Sequence, residues 1–226
     1  MPSILQRFKR RMQHCTSRVF CNRTNLAVES ASTSEDKDIS ENTLFSSSNL
    51  ALRIQKKVAS KLSNRNVAKL VLTDAASRVF DNFYHILKER YPKKDAEKVC
   101  KNMIKIVVKL GLVSRNDILS PEEQKLLAIV QRKIHYLALT TISFQQVAFS
   151  YDRTYFIEQL SNLKYSLLLL VKHNLSGKST KRVEHIFEHI SDPQILDDLF
   201  KVNGPHAKIL EEIVKDLEKL LEEKDV

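Results

Sequence analysis

His185-Ile186-Phe187-Glu188-His189 has the H-x-x-E-H spacing, in which two histidines one helical turn apart hold a zinc ion and the glutamate between them acts as a base. That chemistry needs a third ligand from a later helix. The acids left there, Glu211, Glu212 and Asp216, fall on a face expected to be solvated, so the histidines read as packing or surface residues and no metal is expected. Cys100 lies beside Lys101, and a neighbouring charge can lower a thiol pKa, but a lone helical cysteine is ordinarily a small packing residue. No Ser-His-Asp order or carboxylate cage is legible, and with three glycines in the whole chain a phosphate-cradling loop is nearly excluded. These residue types describe a protein that is not an enzyme and carries no cofactor.

The remaining chemistry is cationic. The formal net charge is +10, a field that attracts nucleic acid, anionic lipid head groups or acidic proteins. From Ser46 to Leu72 there is no carboxylate, while Arg53, Lys56, Lys57, Lys61, Arg65 and Lys69 are all present. Leu50, Ile54, Val58 and Leu62 repeat every four residues against Arg53, Lys57 and Lys61, which predicts a helix with one apolar and one strongly positive face. A solvated face is the ordinary meaning of such a run, but here it lacks any acid partner at helical spacing. Aromatic residues are not interleaved with the cations and no helix-turn-helix or RNA-module pattern occurs, so nucleic acid is not the expected partner.

The elements that must position these groups read as helices throughout. The 226 residues include only three glycines and five prolines, and 42% are hydrophobic, which predicts an all-α fold with a sizeable core. With no Trp and 7% aromatics that core is mainly aliphatic. Cys15, Cys21 and Cys100 are not a disulfide framework, no secretory signal is legible, and the longest uncharged segment, Ile134 to Tyr151, is too polar to span a bilayer. A cytoplasmic location is expected.

Residues 1–23 are basic, without an acid before Glu29, and read equally as an amphipathic membrane-surface helix, an organelle-targeting peptide or a basic tail. The segment from Asn25 to Thr43 reads as a linker, and order is expected from Phe45. A break at Thr73-Asp74 precedes a helix from Ala75 to Arg90, which Tyr91-Pro92 ends. The central helix is expected from Lys98 to Asn116. It carries Lys98, Lys101, Lys105 and Lys109 on one narrow stripe and apolar side chains over most of its circumference, so it needs neighbours on several sides. Gly111 near its end is expected to supply a left-handed residue or a close approach. Ser120-Pro121-Glu122-Glu123 is a capping box that starts a helix running towards Phe149. Further helices are expected from Arg153 to Leu175, with Gly177 as a C-terminal stop, from Ser179 to Ile190, from Pro193 to Phe200 behind an Asp192 cap, and from Ala207 to Glu223 after a turn at Asn203-Gly204-Pro205.

FSSSNLALRIQKKVASKLSNRNVAKL (Phe45 to Leu70), IKIVVKLGLVSRN (Ile104 to Asn116), ALTTISFQQVAFSYDR (Ala138 to Arg153), KSTKRVEHIFEHISDPQIL (Lys178 to Leu196) and NGPH (Asn203 to His206) follow one another in the order of a known family. The chain from Phe45 to Val226 resembles the tumour necrosis factor α-induced protein 8 family, also called TIPE. Residues 1–44 lie outside the resemblance. It implies a single all-α bundle of about six or seven helices around an apolar cavity for acyl chains, at residues 45–226, behind an N-terminal extension at 1–44. It also implies phosphoinositide binding, lipid transfer and regulation of apoptosis, immune homeostasis or autophagy, with reversible membrane association. Carried over by position, Lys56, Lys57 and Lys61 would meet the head group or bilayer and Arg115 would stand at the cavity mouth. A second mouth arginine falls on Gln131, with Arg132 and Lys133 beside it as substitutes, although one residue turns a helical side chain by about 100°. Ile104, Val107, Val108, Ile142, Leu167 and Leu168 are expected to line the cavity. The competing expectation is a helical adaptor for apoptotic or small-GTPase regulators.

Overall fold

The computed structural model describes residues 45–59, 73–115, 119–147, 149–175 and 177–222. The expectations for residues 1–44 and for the part of the cationic run from residue 60 to Leu72, Lys61 included, therefore lie outside the described residues. Among those residues there are eight helices and no strand. They are α1 (Ser47–Ala59), α2 (Asp74–Arg90), α3 (Lys93–Arg115), α4 (Pro121–Gln146), α5 (Arg153–Asn174), α6 (Gly177–Ile190), α7 (Pro193–Phe200) and α8 (Ala207–Glu222).

Local chemistry sets their ends. The Thr73 hydroxyl accepts from the Ala76 amide at 3.3 Å to start α2, and Asp152 accepts from the Tyr155 amide at 3.0 Å to start α5. At α4 both halves of the capping box close. Ser120 Oγ accepts from the Glu123 amide at 3.3 Å and Glu123 Oε2 accepts from the Ser120 amide at 2.8 Å. Tyr91 has extended backbone (φ −118, ψ 155), as a residue before proline must, and its N–H closes the last turn of α2 on the Leu87 carbonyl. The Pro92 carbonyl then accepts from Asp95 and Ala96, so α3 begins at Lys93, five residues earlier than the apolar pattern indicated.

The left-handed alternative for Gly111 and the stop at Gly177 are corrected. Gly111 is an interior residue of α3 and no described glycine has a positive φ, so it is not a left-handed stop. Gly177 begins α6 instead of ending α5, whose last turn is closed by the Leu175 N–H on Val171 O. The left-handed residue is Asn203 (φ 53), in the expected turn. α4 also stops sooner than expected, at Gln146, where the Val147 N–H bonds back to Ser143 O and the chain turns towards α5.

Six helices pack in sequence around a closed circuit: α2 on α3, α3 on α6, α6 on α5, α5 on α4, α4 on α8, and α8 back on α2. α1 lies outside this ring against α2 and α3, and α7 bridges α2, α5 and α8. Leu87, Val99, Leu170 and Val183 are fully buried in the main core, each worth about 1.5–3 kcal/mol of burial. A smaller cluster joins Ala51 and Ile54 of α1 to Ile104, Val108 and Leu112 of α3. α7 inserts Phe200 among Phe144, Tyr151 and Phe156, with ring centroids 4.9 to 5.8 Å apart, an aromatic plug where α4 turns into α5.

Of the acids of α8, Glu211 and Glu212 are exposed as expected and Asp216 needs correction. Asp216, expected on a solvated face, is buried, and Arg78 of α2 donates to both its oxygens at 2.6 to 3.2 Å. α8 packs against both α2 and α4, so its covered arc is wider than one apolar stripe and takes in this flanking position.

Candidate functional site

Lys56 and Lys57 belong to α1 and Arg115 closes α3, but their side chains, like all of Lys61, lie outside the described residues. On α4, Arg132 is exposed, whereas Lys133 is drawn into the α4–α5 seam. Its Nζ donates to Asn162 O at 2.9 Å and Ser166 Oγ at 2.7 Å. That ammonium joins two helices, and one residue of helical rotation separates it from its exposed neighbour.

The apolar residues expected to line a cavity divide by face. Ile104 and Val108 are fully buried in the α1–α3 cluster, outside the ring. Leu167 is buried in the main core, and Ile142 and Leu168 pack against it partly covered. Val107 is 42% exposed. On α3, Ile104, Val108 and Leu112 mark the side towards α1, and Lys109, which donates to Ser179 Oγ at 3.0 Å, marks the side towards α6. Met103 and Leu110 fall on the opposite arc and pack against the main core, while Val107, three residues after Ile104, lies on the flank between the two faces.

The same construction applies to α4. Lys133 marks its α5 side and Gln146, bonded to Glu218 at 3.1 Å, its α8 side. The arc between them that carries buried Val130 and part-buried Leu137 is the inward one, and Ile134, 48% exposed, lies on it. Ile134 thus sits on an inward arc and Val107 at the flank of one, each with nearly half its surface uncovered. In a close-packed interior such positions are filled.

The H-x-x-E-H residues do something else. The His185 and His189 rings stack on each other at 4.5 Å, Tyr91 packs on His189 at 4.6 Å, and His189 Nδ1 lies 2.9 Å from His185 O on its own helix. Among the described residues no third His, Cys, Asp or Glu converges on such a pair. The Tyr91 hydroxyl donates to Asp192 Oδ2 at 2.8 Å, which ties the α2–α3 turn to the cap of α7. Cys100 is buried, and desolvation followed by the nearby acids Asp81 and Glu97 pushes its thiol up to about 12. It is an unreactive packing residue.

A family model described as tumour necrosis factor alpha-induced protein 8-like matches residues 45–224. Protein 8-like protein 2 A of Danio rerio is 38% identical over 180 residues, covering 79% of this chain and 97% of that relative. Protein 8-like protein 1 of Gallus gallus is 37% identical over 183 residues (80% and 98%), and tumour necrosis factor alpha-induced protein 8 of Bos taurus is 34% identical over 193 (85% and 97%). The chain belongs to the tumour necrosis factor alpha-induced protein 8 family.

In this family member a further basic group escaped the sequence reading. No acid occurs from Gln159 to Val183, a run that contains Lys172, Lys178, Lys181 and Arg182. The signal is the same as in the first helix, but it straddles a helix boundary and so shows no periodicity. Among the described residues no helix of this family member is long and apolar enough to cross a membrane.

Proposed function

We propose that this family member is a non-enzymatic carrier of phosphoinositides, which docks reversibly on anionic membranes from the cytoplasm and takes acyl chains into the space enclosed by its helical ring. Lys56, Lys57, Lys61 and Arg115 hold the phosphates in this reading, and Val107 and Ile134 meet the chains. Its physiological role is the regulation of apoptosis, immune homeostasis or autophagy signalling. The observation that carries the reading is the uncovered surface of Ile134 on the inward arc of α4, with Val107 uncovered on the flank of α3, a state that a filled interior does not leave. The test is transfer of a labelled phosphatidylinositol phosphate between vesicles. Val107→Phe with Ile134→Phe fills the space without adding charge, so transfer falls at least ten-fold while the Tm holds; undiminished transfer by the folded variant contradicts the reading.

A second reading is an adaptor for apoptotic or small-GTPase regulators, with no lipid cargo. It is favoured by Phe149, 93% exposed beyond α4, and Tyr165, 66% exposed on α5, two large side chains left to solvent. A protein that neither takes up nor transfers lipid, and whose partner binding is lost in Phe149→Ser, supports the adaptor instead.

A further inference from the structure

One end of the ring gathers four helix termini. α3 ends five residues before the Ser120 cap of α4, two residues join α5 to α6, and the Lys109 to Ser179 bond ties the last turns of α3 to the first turn of α6. The aromatic plug sits at the other end of the α4–α5 pair. Lys172 in the last turn of α5 and Lys178 and Lys181 in the first turns of α6 are all exposed at the four-terminus end. The acids near these lysines are Glu184, exposed one turn after Lys181 on α6, and Glu122 and Glu123 of α4, of which Glu123 is turned back onto the Ser120 amide.

We infer that Lys172, Lys178 and Lys181 form a bilayer-docking surface at this end of the molecule, one that presses this end of the ring against an anionic membrane. The inference deepens the carrier reading and rests on it for its purpose. Three exposed ammonium groups within one acid-free run, from the last turn of α5 to the first turns of α6, offer the positive charge that a surface of phosphates attracts. They surround the end at which α3 delivers Arg115, so the same contact that docks the protein aligns the entry for acyl chains. Docking by a few lysines is reversible and weakens with salt, as a shuttle requires.

The experiment is sedimentation of the full chain with phosphatidylcholine vesicles containing 20–30% phosphatidylserine, at about 50 mM and about 200 mM salt. Lys172→Gln, Lys178→Gln and Lys181→Gln are combined, and Lys201→Gln, Lys208→Gln and Lys215→Gln provide a control of equal charge change on exposed positions around α8. Each lysine near an anionic surface is worth roughly five-fold in partition, so the first triple variant binds on the order of a hundred-fold more weakly at low salt, and the control loses far less. Equal losses in the two variants, or none in the first, overturn the docking surface. So does loss of soluble inositol hexakisphosphate binding with vesicle binding intact, since that marks a head-group pocket. Uptake of detergent-dispersed phosphatidylinositol phosphate separates the two ideas. Normal uptake by the first variant with lost docking supports the surface, whereas no uptake by the unmodified protein removes the carrier reading and leaves the docking result standing.

Discussion

His185 buries an Nδ1 with no hydrogen-bond partner, and desolvation, then the charges of His189 and Lys98, hold its pKa below the ordinary value of 6.5. The unfolded chain therefore binds the proton more readily than the fold does, so stability is full above about pH 6.5 and falls as the pH drops through that value. Urea midpoints of the unmodified protein should decline between about pH 7.5 and 5.5, and His185→Gln should flatten that slope; an unchanged slope contradicts the assignment. Asp192 moves the other way. Burial raises its pKa, but the hydrogen bonds from Tyr91 and from the Gln194 and Ile195 amides, with Arg90 nearby, bring it below 3.8 in all. Its contribution is complete above the ordinary carboxylate range and is lost as acid protonates it. Asp192→Ala removes the α7 cap and the Tyr91 bond together and should cost at least about 1 kcal/mol in urea unfolding. The sequence showed that Asp192 caps a helix, from its place before Pro193. It could not show the Tyr91 contact, 101 residues away, nor that Asp216 turns inward to Arg78, because both depend on how helices distant in sequence pack.

Helix starts with a side-chain cap were legible, since Ser120, Asp192 and the break at Thr73 act through the next three residues alone. The start of α3 was not. Lys93, Lys94 and Asp95 carry no apolar signal and the turn is nucleated by the Pro92 carbonyl. Glycine positions show the same limit, because composition cannot separate an open glycine from a crowded one. A methyl group at Gly177 meets nothing within 4 Å, so Gly177→Ala should be neutral or stabilise by about 0.5 kcal/mol. One at Gly204 would lie 2.8 Å from Lys201 Cβ and 2.9 Å from its carbonyl, and Gly204→Ala should cost about 1–3 kcal/mol. Equal urea midpoints for the two variants would contradict the packing of the α7–α8 turn.

At the scale of the whole molecule, the all-α class followed from the scarcity of breakers, but the closed circuit of six helices did not. A helix that is apolar nearly all round, such as α3, needs several neighbours, and its sequence does not say which face each one covers. Ile104 and Val108 meet α1 and are fully buried, while Val107, between them in sequence, is 42% exposed. Truncations read this difference directly. Leu170→Ala in the filled core should cost about 2–5 kcal/mol, whereas Val107→Ala, already half uncovered, should cost less than about 1 kcal/mol. The proposal that the helical ring takes up a lipid tail is tested most directly by native mass spectrometry after exposure to vesicles containing a phosphatidylinositol phosphate. The account predicts a species heavier than the bare chain by one intact two-chain lipid, absent from the Val107→Phe, Ile134→Phe protein. A bare-chain mass alone, from protein that had bound the vesicles, would contradict it.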